Sequence, residues 1–172
     1  MSRRTATAAA SVAAGIVLLA GVIWVVVATQ LRLTSVTTGV RLCAPANSHG
    51  QAMFGIELFR NNTSNPITAA VFEPSNADGV SVIGAYFQRQ SKGSPGVLND
   101  PKLVPHGFSF DPVAPGTRVT LVLGGQLNDP AVAGQFSGGV LRPEFTLPLF
   151  DVVGQSTTGY RMVPNGQTCD GR

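Results

Sequence analysis

Asp111-Pro112-Val113-Ala114-Pro115-Gly116-Thr117-Arg118-Val119-Thr120-Leu121-Val122-Leu123 is the stretch that decides the fold. Two prolines and a glycine make its first half a turn, because proline fixes φ and glycine allows the left-handed backbone. In the second half Val119, Leu121 and Leu123 recur at every other position, the period that lines one face of a β-strand. A turn that runs directly into an alternating Val/Thr strand is the unit of an all-β fold.

The same unit recurs outward in both directions. Leu33 to Leu42 is Thr/Val-rich. Met53 to Arg60 places Phe54, Ile56 and Leu58 on one face and Glu57 on the other, with the charge of Arg60 breaking the pattern at its end. Asn61 to Pro66 is a turn by composition, and Ile67, Ala69 and Val71 follow in phase. Pro74 to Gly79 turns again, and Val80 to Gln90 reads as a long strand. Ser91 to Pro105 reads as an irregular loop and Gly107 to Phe110 as a short strand. Gln126 to Gly139 reads as a loop with room for a helical turn near Pro130 to Gly134. Val140 to Phe150 is apolar, but Pro143 and Pro148 confine it to an edge or break it. Gly159 to Val163 is the last strand. Roughly seven to nine short strands at this spacing predict an antiparallel β-sandwich with loops clustered at its two ends.

Ahead of the strands, Thr5 to Leu31 contains no charged side chain and follows Arg3 and Arg4 directly. Ala8 to Ala28 as a helix spans about 32 Å, close to a hydrocarbon core of about 30 Å. The cationic pair on the amino-terminal side sets an N-in orientation. The expected organisation is a cytoplasmic tail at 1–7, a single transmembrane helix at 8–28, a linker and first strand at 29–42, and an extracytoplasmic β-sandwich at 43–172. The same residues also fit two export signals. Val26 and Ala28 suit a cut at Ala28–Thr29, although the apolar stretch exceeds the usual signal core. Ser2-Arg3-Arg4 is similar to the start of a twin-arginine signal, with Ala6 and Thr7 where larger apolar residues belong. Each alternative exports the same domain.

Of 172 residues, 12 are Lys or Arg and 9 are Asp or Glu, so removing Arg3 and Arg4 leaves 10 against 9. The cations are scattered singly along the sequence: Arg41, Arg60, Arg89, Arg118, Arg142, Arg161. A nucleic-acid surface requires clustered cations to neutralise phosphates, so no nucleic-acid partner is expected. Two cysteines are present, Cys43 near the start of the domain and Cys169 near its end. Outside the cytoplasm such a pair oxidises, and the bridge would join the two ends of the domain.

Three runs together resemble bacterial membrane-anchored immunoglobulin-like domains. They are Arg60-Asn61-Asn62-Thr63-Ser64-Asn65-Pro66-Ile67-Thr68, Val80-Ser81-Val82-Ile83-Gly84-Ala85-Tyr86, and Ala114-Pro115-Gly116-Thr117-Arg118-Val119-Thr120. In such domains a polar hairpin precedes an apolar strand and a Pro-Gly turn precedes a Val/Thr strand. The resemblance implies an immunoglobulin-like sandwich outside a membrane, and no reaction. The antibody-type tryptophan and mid-strand cysteines are absent, since Trp24 lies in the apolar stretch and both cysteines are terminal.

No G-x-S-x-G, H-E-x-x-H, G-x-x-x-x-G-K-[ST] or C-x-x-C occurs, so no catalytic residue, cofactor site or metal site is assigned and the chain is read as a non-enzyme. A Ser–His–Asp set would draw on His106, Asp111 and a serine. A copper site would draw on His49, His106, Met53 and Met162, of which the methionines suit a core better. Glu57, Glu73 and Glu144 are read as solvated or ion-paired. The expected function is a membrane-anchored interaction or accessory module for an envelope or membrane protein. Its contact surfaces would be Ser91–His106 and Gln126–Gly139, with Val97, Leu98 and Val104 exposed. The alternatives are an envelope ligand- or copper-binding protein and, after it, an envelope hydrolase.

Overall fold

The computed structural model describes residues 32–37, 39–90, 94–143 and 152–169. The predicted span at 8–28, with Arg3 and Arg4, lies outside them. Among the described residues no helix is long and apolar enough to cross a membrane.

The described chain is all-β. Its strands are β1 (Leu33–Ser35), β2 (Arg41–Pro45), β3 (Gln51–Gly55), β4 (Leu58–Asn61), β5 (Val71–Pro74), β6 (Val80–Arg89), β7 (Gly96–Leu98), β8 (Gly107–Ser109), β9 (Arg118–Leu127), β10 (Gly134–Arg142) and β11 (Gly154–Val163). β9 is the centre. One of its edges pairs with β6 from Val80↔Leu127 to Arg89↔Val119. The other edge carries β3 and β4 end to end. From β4 the sheet continues through β1 to β11, β10 and β5. β2 lies along β11, β7 along β3, and β8 along β6.

Three ladders run parallel: β1 with β11, β2 with β11, and β6 with β8. The sequence reading expected antiparallel pairing throughout. Parallel neighbours require a long connection between them. β1 and β2 open the domain and β11 closes it, while β6 reaches β8 through all of β7 and the following segment.

The sheet curls over one main core. Phe54 on β3 meets Tyr160 on β11 edge to face at 5.3 Å between ring centres, and Phe136 on β10 stacks on Tyr160 at 4.5 Å. Val119, Leu121 and Leu123 all point into this core, as their alternation predicted. Leu33 is fully buried, so β1 is part of the packed body.

The outer face of β9 is buried as well, where alternation predicted solvent. Val122 packs with Met53 and Val104 in a second apolar cluster, flanked by Ile83 and Tyr86. Val104 belongs to a strap, residues 99–106, that crosses β6 and β9. It was expected to be exposed and is buried, because Gly84 and Gly124 face each other across the two strands and let the strap sit on the sheet. A Cβ at either glycine would lie 2.4 Å from the Pro105 carbonyl oxygen.

β3 and β4 form one strand interrupted by a bulge. Phe54 pairs with Leu123, yet the Leu121 amide already donates to the Glu57 carbonyl at 2.8 Å. Gly55 and Ile56 therefore oppose the single residue Val122. One extra residue reverses the side-chain phase downstream. Glu57, Phe59 and Asn61 turn inward, and Leu58 is only half-buried. The expected phase, with Leu58 inside and Glu57 outside, is overturned past the bulge, while Ile56 stays half-buried against the main core.

Candidate functional site

Two polar constellations arise from this architecture. The first is a cleft at the end of the sheet where β4 and β6 finish and β9 begins. The cleft encloses about 490 Å³. Its wall is the 111–117 turn. Val113 fastens that turn to Ile67 through two backbone bonds of 3.0 and 2.8 Å. The buried Asn61 amide donates to the Val113 and Asn65 carbonyls, both at 2.8 Å, which locks the 61–66 loop against the same turn. Gly116, at φ 71°, reverses the chain into β9.

Phe87, Val113 and Val119 are among its apolar lining residues, and Arg60, Arg89 and Arg118 line it as well. Arg89 pairs with Val119 and shares its face of the sheet, whereas Arg60 and Arg118 belong to the other face. Arg60 and Arg118 stand directly opposite each other on β4 and β9. The neighbouring pair, Asn61 with Thr117, is bonded through the Asn61 amide at 3.1 Å, so the arginine pair occupies the narrow, non-bonded position where side chains stand closest. Asp111 is the one carboxylate among the residues lining the cleft. In sequence these cations look scattered. They come to one end of the sheet because three adjacent strands begin or end there, and no local spacing signals it.

The second constellation is buried. Glu57, 1% exposed, accepts three hydroxyl hydrogen bonds. Ser35 donates to Oε1 at 2.8 Å, and Ser156 and Tyr160 donate to Oε2 at 2.6 Å each. The donors come from β1 and β11, so one carboxyl group joins both to the β3–β4 strand. Its solvated or ion-paired reading is corrected: the bulge turns it inward, and hydroxyls, not a cation, satisfy it. Glu73 follows expectation, with a 2.7 Å bond to Arg142, and Glu144 lies outside the described residues.

Burial raises the Tyr160 phenol well above its usual value near 10; repulsion from the Glu57 carboxylate and the bond to it add to this, against smaller opposing effects of Ser156 and Thr158. The unfolded phenol therefore loses its proton first. Stability from this group is fully present below about pH 10 and falls above it, by up to about 1.4 kcal/mol per pH unit. Denaturant midpoints measured between pH 8 and 11 are expected to drop less steeply for Tyr160→Phe than for the wild type. Equal alkaline slopes would refute the assignment.

The other expected residues are placed as follows. Cys43 and Cys169 form a disulfide with Cα atoms 5.8 Å apart. Met53 and Met162 are buried, in the second and the main apolar cluster respectively. His49 and His106 are exposed in separate loops. Among the described residues no group of three or more His, Cys, Asp or Glu side chains could hold a metal. His106, Ser109 and Asp111 line one surface depression of about 380 Å³, without a hydrogen bond among them. The 126–139 segment, read as a loop, supplies the end of β9 and the start of β10. In place of a helical turn, Asp129 caps a short turn through the Ala131 amide at 2.9 Å.

No protein-family model matches this chain, and no curated protein or solved structure shows significant similarity to it.

Proposed function

We propose that this chain is a single-pass membrane protein. Its β domain, an immunoglobulin-like sandwich, works outside the cytoplasm as an interaction or accessory module for another envelope or membrane protein. The contact of Phe54 with Tyr160, from strands far apart in the sheet order, supports two layers enclosing one core. The uncharged stretch behind Arg3 and Arg4 supports the anchor.

The observation that carries the interaction reading is the surface of residues 96–109. Leu98, Leu103 and Phe108 are exposed by 40, 49 and 40% within this one segment. The strap beneath them is fixed: Val104 is buried, Pro105 sits over Gly84 and Gly124, and Asp100 caps the turn through the Lys102 amide at 2.9 Å. Apolar side chains held on a rigid support lose little entropy on binding, which suits a contact surface. The relevant face is therefore the strap with its flanking strands. The 126–139 segment is half strand, and its exposed large apolar residue is Val132, 55% exposed in the turn between β9 and β10.

A photo-crosslinking amino acid at Leu103 or Phe108, in the full chain in its own membrane, is expected to trap a specific second protein identifiable by mass spectrometry. The same probe at Val132 should trap none. Self-adducts alone, or no adduct at either strap position, would end the interaction reading.

A further inference from the structure

β11 carries a glycine that neither the backbone nor the packing requires. Gly159 lies inside the strand, opposite Ser137 of β10 on one side and Arg41 of β2 on the other. Every other glycine among the described residues has a left-handed φ or an atom within 3.1 Å of where a Cβ would stand. Gly159 has neither, and its nearest neighbour would be the Arg41 Cγ at 3.4 Å, an ordinary contact. The irregularity beside it in the β10–β11 ladder is taken up by Gly138, at φ 71°. Glycine weakens a strand, and one that serves no turn, bulge or tight packing marks a place that another chain or a ligand approaches closely.

A hollow of about 510 Å³ lies over Gly159. The register puts its polar lining on one face of the sheet. Ser137, Gly159 and Arg41 form one row across β10, β11 and β2, and Gln135, Arg161 and Cys43 form the next. The alternate residues Phe136, Tyr160 and Leu42 point into the main core, so both rows face outward. The Cys43–Cys169 bridge bounds one side of the hollow. Asn76 bounds another, on a turn bonded to β10 between Ser75 and Gly138 at 3.2 Å and between Ser137 and Ser75 at 3.1 Å. Arg41 and Arg161 bring two positive charges, and no carboxylate is among the described residues that line it.

We propose that this hollow docks an extended segment of a partner protein, laid along β11 over Gly159, with acidic side chains at alternate positions. The two rows are two residues apart on β11, about 7 Å, which is also the repeat of same-face side chains in an extended segment. One carboxylate therefore meets Arg41 and the next meets Arg161, and a guanidinium fork pairs with carboxylate oxygens. Asn76, Gln135 and Ser137 offer hydrogen-bonding groups to the backbone of the segment. Arg41, Arg161, Gln135 and Ser137 are all exposed on an open sheet face. A small molecule needs most of its surface enclosed, which such a face does not provide, whereas a protein segment gains further contacts along its length. The hollow lies on β2, β10 and β11 and the strap on β6 and β9, so this contact goes beyond the strap surface and depends neither on it nor on the anchor.

The test uses the full chain in neutral detergent micelles at low salt, with binding of fluorescent nonapeptides read by anisotropy. The peptides consist of Gly and Ser around two Glu residues separated by one position, two adjacent Glu residues, or two separated Gln residues. The separated-acid peptide is expected to bind saturably, at least about threefold more tightly than the adjacent-acid peptide of equal charge, and the Gln peptide should not bind. Arg41→Gln and Arg161→Gln should each weaken the separated-acid peptide at least about threefold, the upper range for one exposed ion pair. Gly159→Ala should weaken it as well, while its thermal midpoint stays or rises. Arg89→Gln removes the same charge from another surface and should bind as the wild type does. The proposal is overturned if the separated-acid peptide does not bind, if the adjacent-acid peptide binds as tightly, or if free glutamate does, which would make the hollow a site for small anions. It is also overturned if either arginine variant or Gly159→Ala binds as the wild type does, or if Arg89→Gln costs as much as they do. Crosslinking at the strap is unaffected by any of these results, so the two surfaces stand or fall separately.

Discussion

Glu57→Ala is expected to lower the stability of the domain by about 3–5 kcal/mol, measured by urea denaturation of the full chain in neutral micelles at pH 7. The truncation removes the carboxylate that accepts from the Ser156 and Tyr160 hydroxyls, while Ser35 keeps the Thr37 carbonyl as an acceptor at 2.8 Å. Ser156 and Tyr160 are themselves buried, so their O–H groups are stranded where water does not reach. Each stranded donor costs on the order of 1–3 kcal/mol, and the missing carboxyl leaves a void as well. The position matters as much as the chemistry. β1 has three residues and is the strand through which the β4 side of the sheet reaches β11. Glu57 reinforces that narrow junction from inside. Glu57→Gln should cost less, about 1–2 kcal/mol, because its carbonyl still accepts from one hydroxyl and the others rotate to accept from its amide. Replacing the whole set with Glu57→Met, Ser35→Ala, Ser156→Ala and Tyr160→Phe should recover part of the loss, since an apolar core strands nothing. A Glu57→Ala loss below about 1 kcal/mol would show that the network does not hold the junction.

Glu57 also shows where the sequence stops being readable. The alternation in Met53–Arg60 is real, and both halves of it form strands. Its phase is set by the bulge at Gly55–Ile56, and that bulge exists only against β9, more than 60 residues away in sequence. A local pattern cannot report a register fixed by a distant partner. The 126–139 stretch shows a related limit: it reads as a loop, yet Gly134, Gly138 and Gly139 all lie in β10. There glycine serves close approach: a Cβ on Gly139 would stand 2.2 Å from the Phe72 ring, and one on Gly134 would stand 2.6 Å from the Gly79 backbone. Pro143 does end β10, as its missing amide hydrogen demands, but β10 is an interior strand paired on both sides.

The parts that were legible share one property: short-range chemistry decides them. Val119, Leu121 and Leu123 face the core because a two-residue period needs no partner to define it. Gly116 turns the chain because the Pro-Gly dipeptide has few other conformations. The arginine cleft is the opposite case. Arg60, Arg89 and Arg118 are about 30 residues apart in sequence and reach the same end of the sheet only through strand order, which a count of scattered cations does not report.

Breaking the Cys43–Cys169 bridge, by Cys43→Ser with Cys169→Ser or by reduction, is expected to cost about 3–5 kcal/mol. The two cysteines are 126 residues apart, and closing a loop that long removes about 5 kcal/mol of entropy from the unfolded chain, with real bridges usually delivering somewhat less. That is comparable with the whole stability of an ordinary domain, about 5–15 kcal/mol. The folded state should change little. β2 and β11 remain joined by a five-residue parallel ladder, Gly159↔Arg41 to Val163↔Pro45, whether or not the sulfurs are bonded. The effect therefore belongs mainly to the unfolded state, and this gives it a signature. The released chain expands further on unfolding, so the denaturant slope should rise as the midpoint falls. The cost of Glu57→Ala should also be the same in oxidised and reduced protein, because one change acts on the native junction and the other on the unfolded ensemble. A reduced protein within about 1 kcal/mol of the oxidised one would mean that the ladder alone closes the domain.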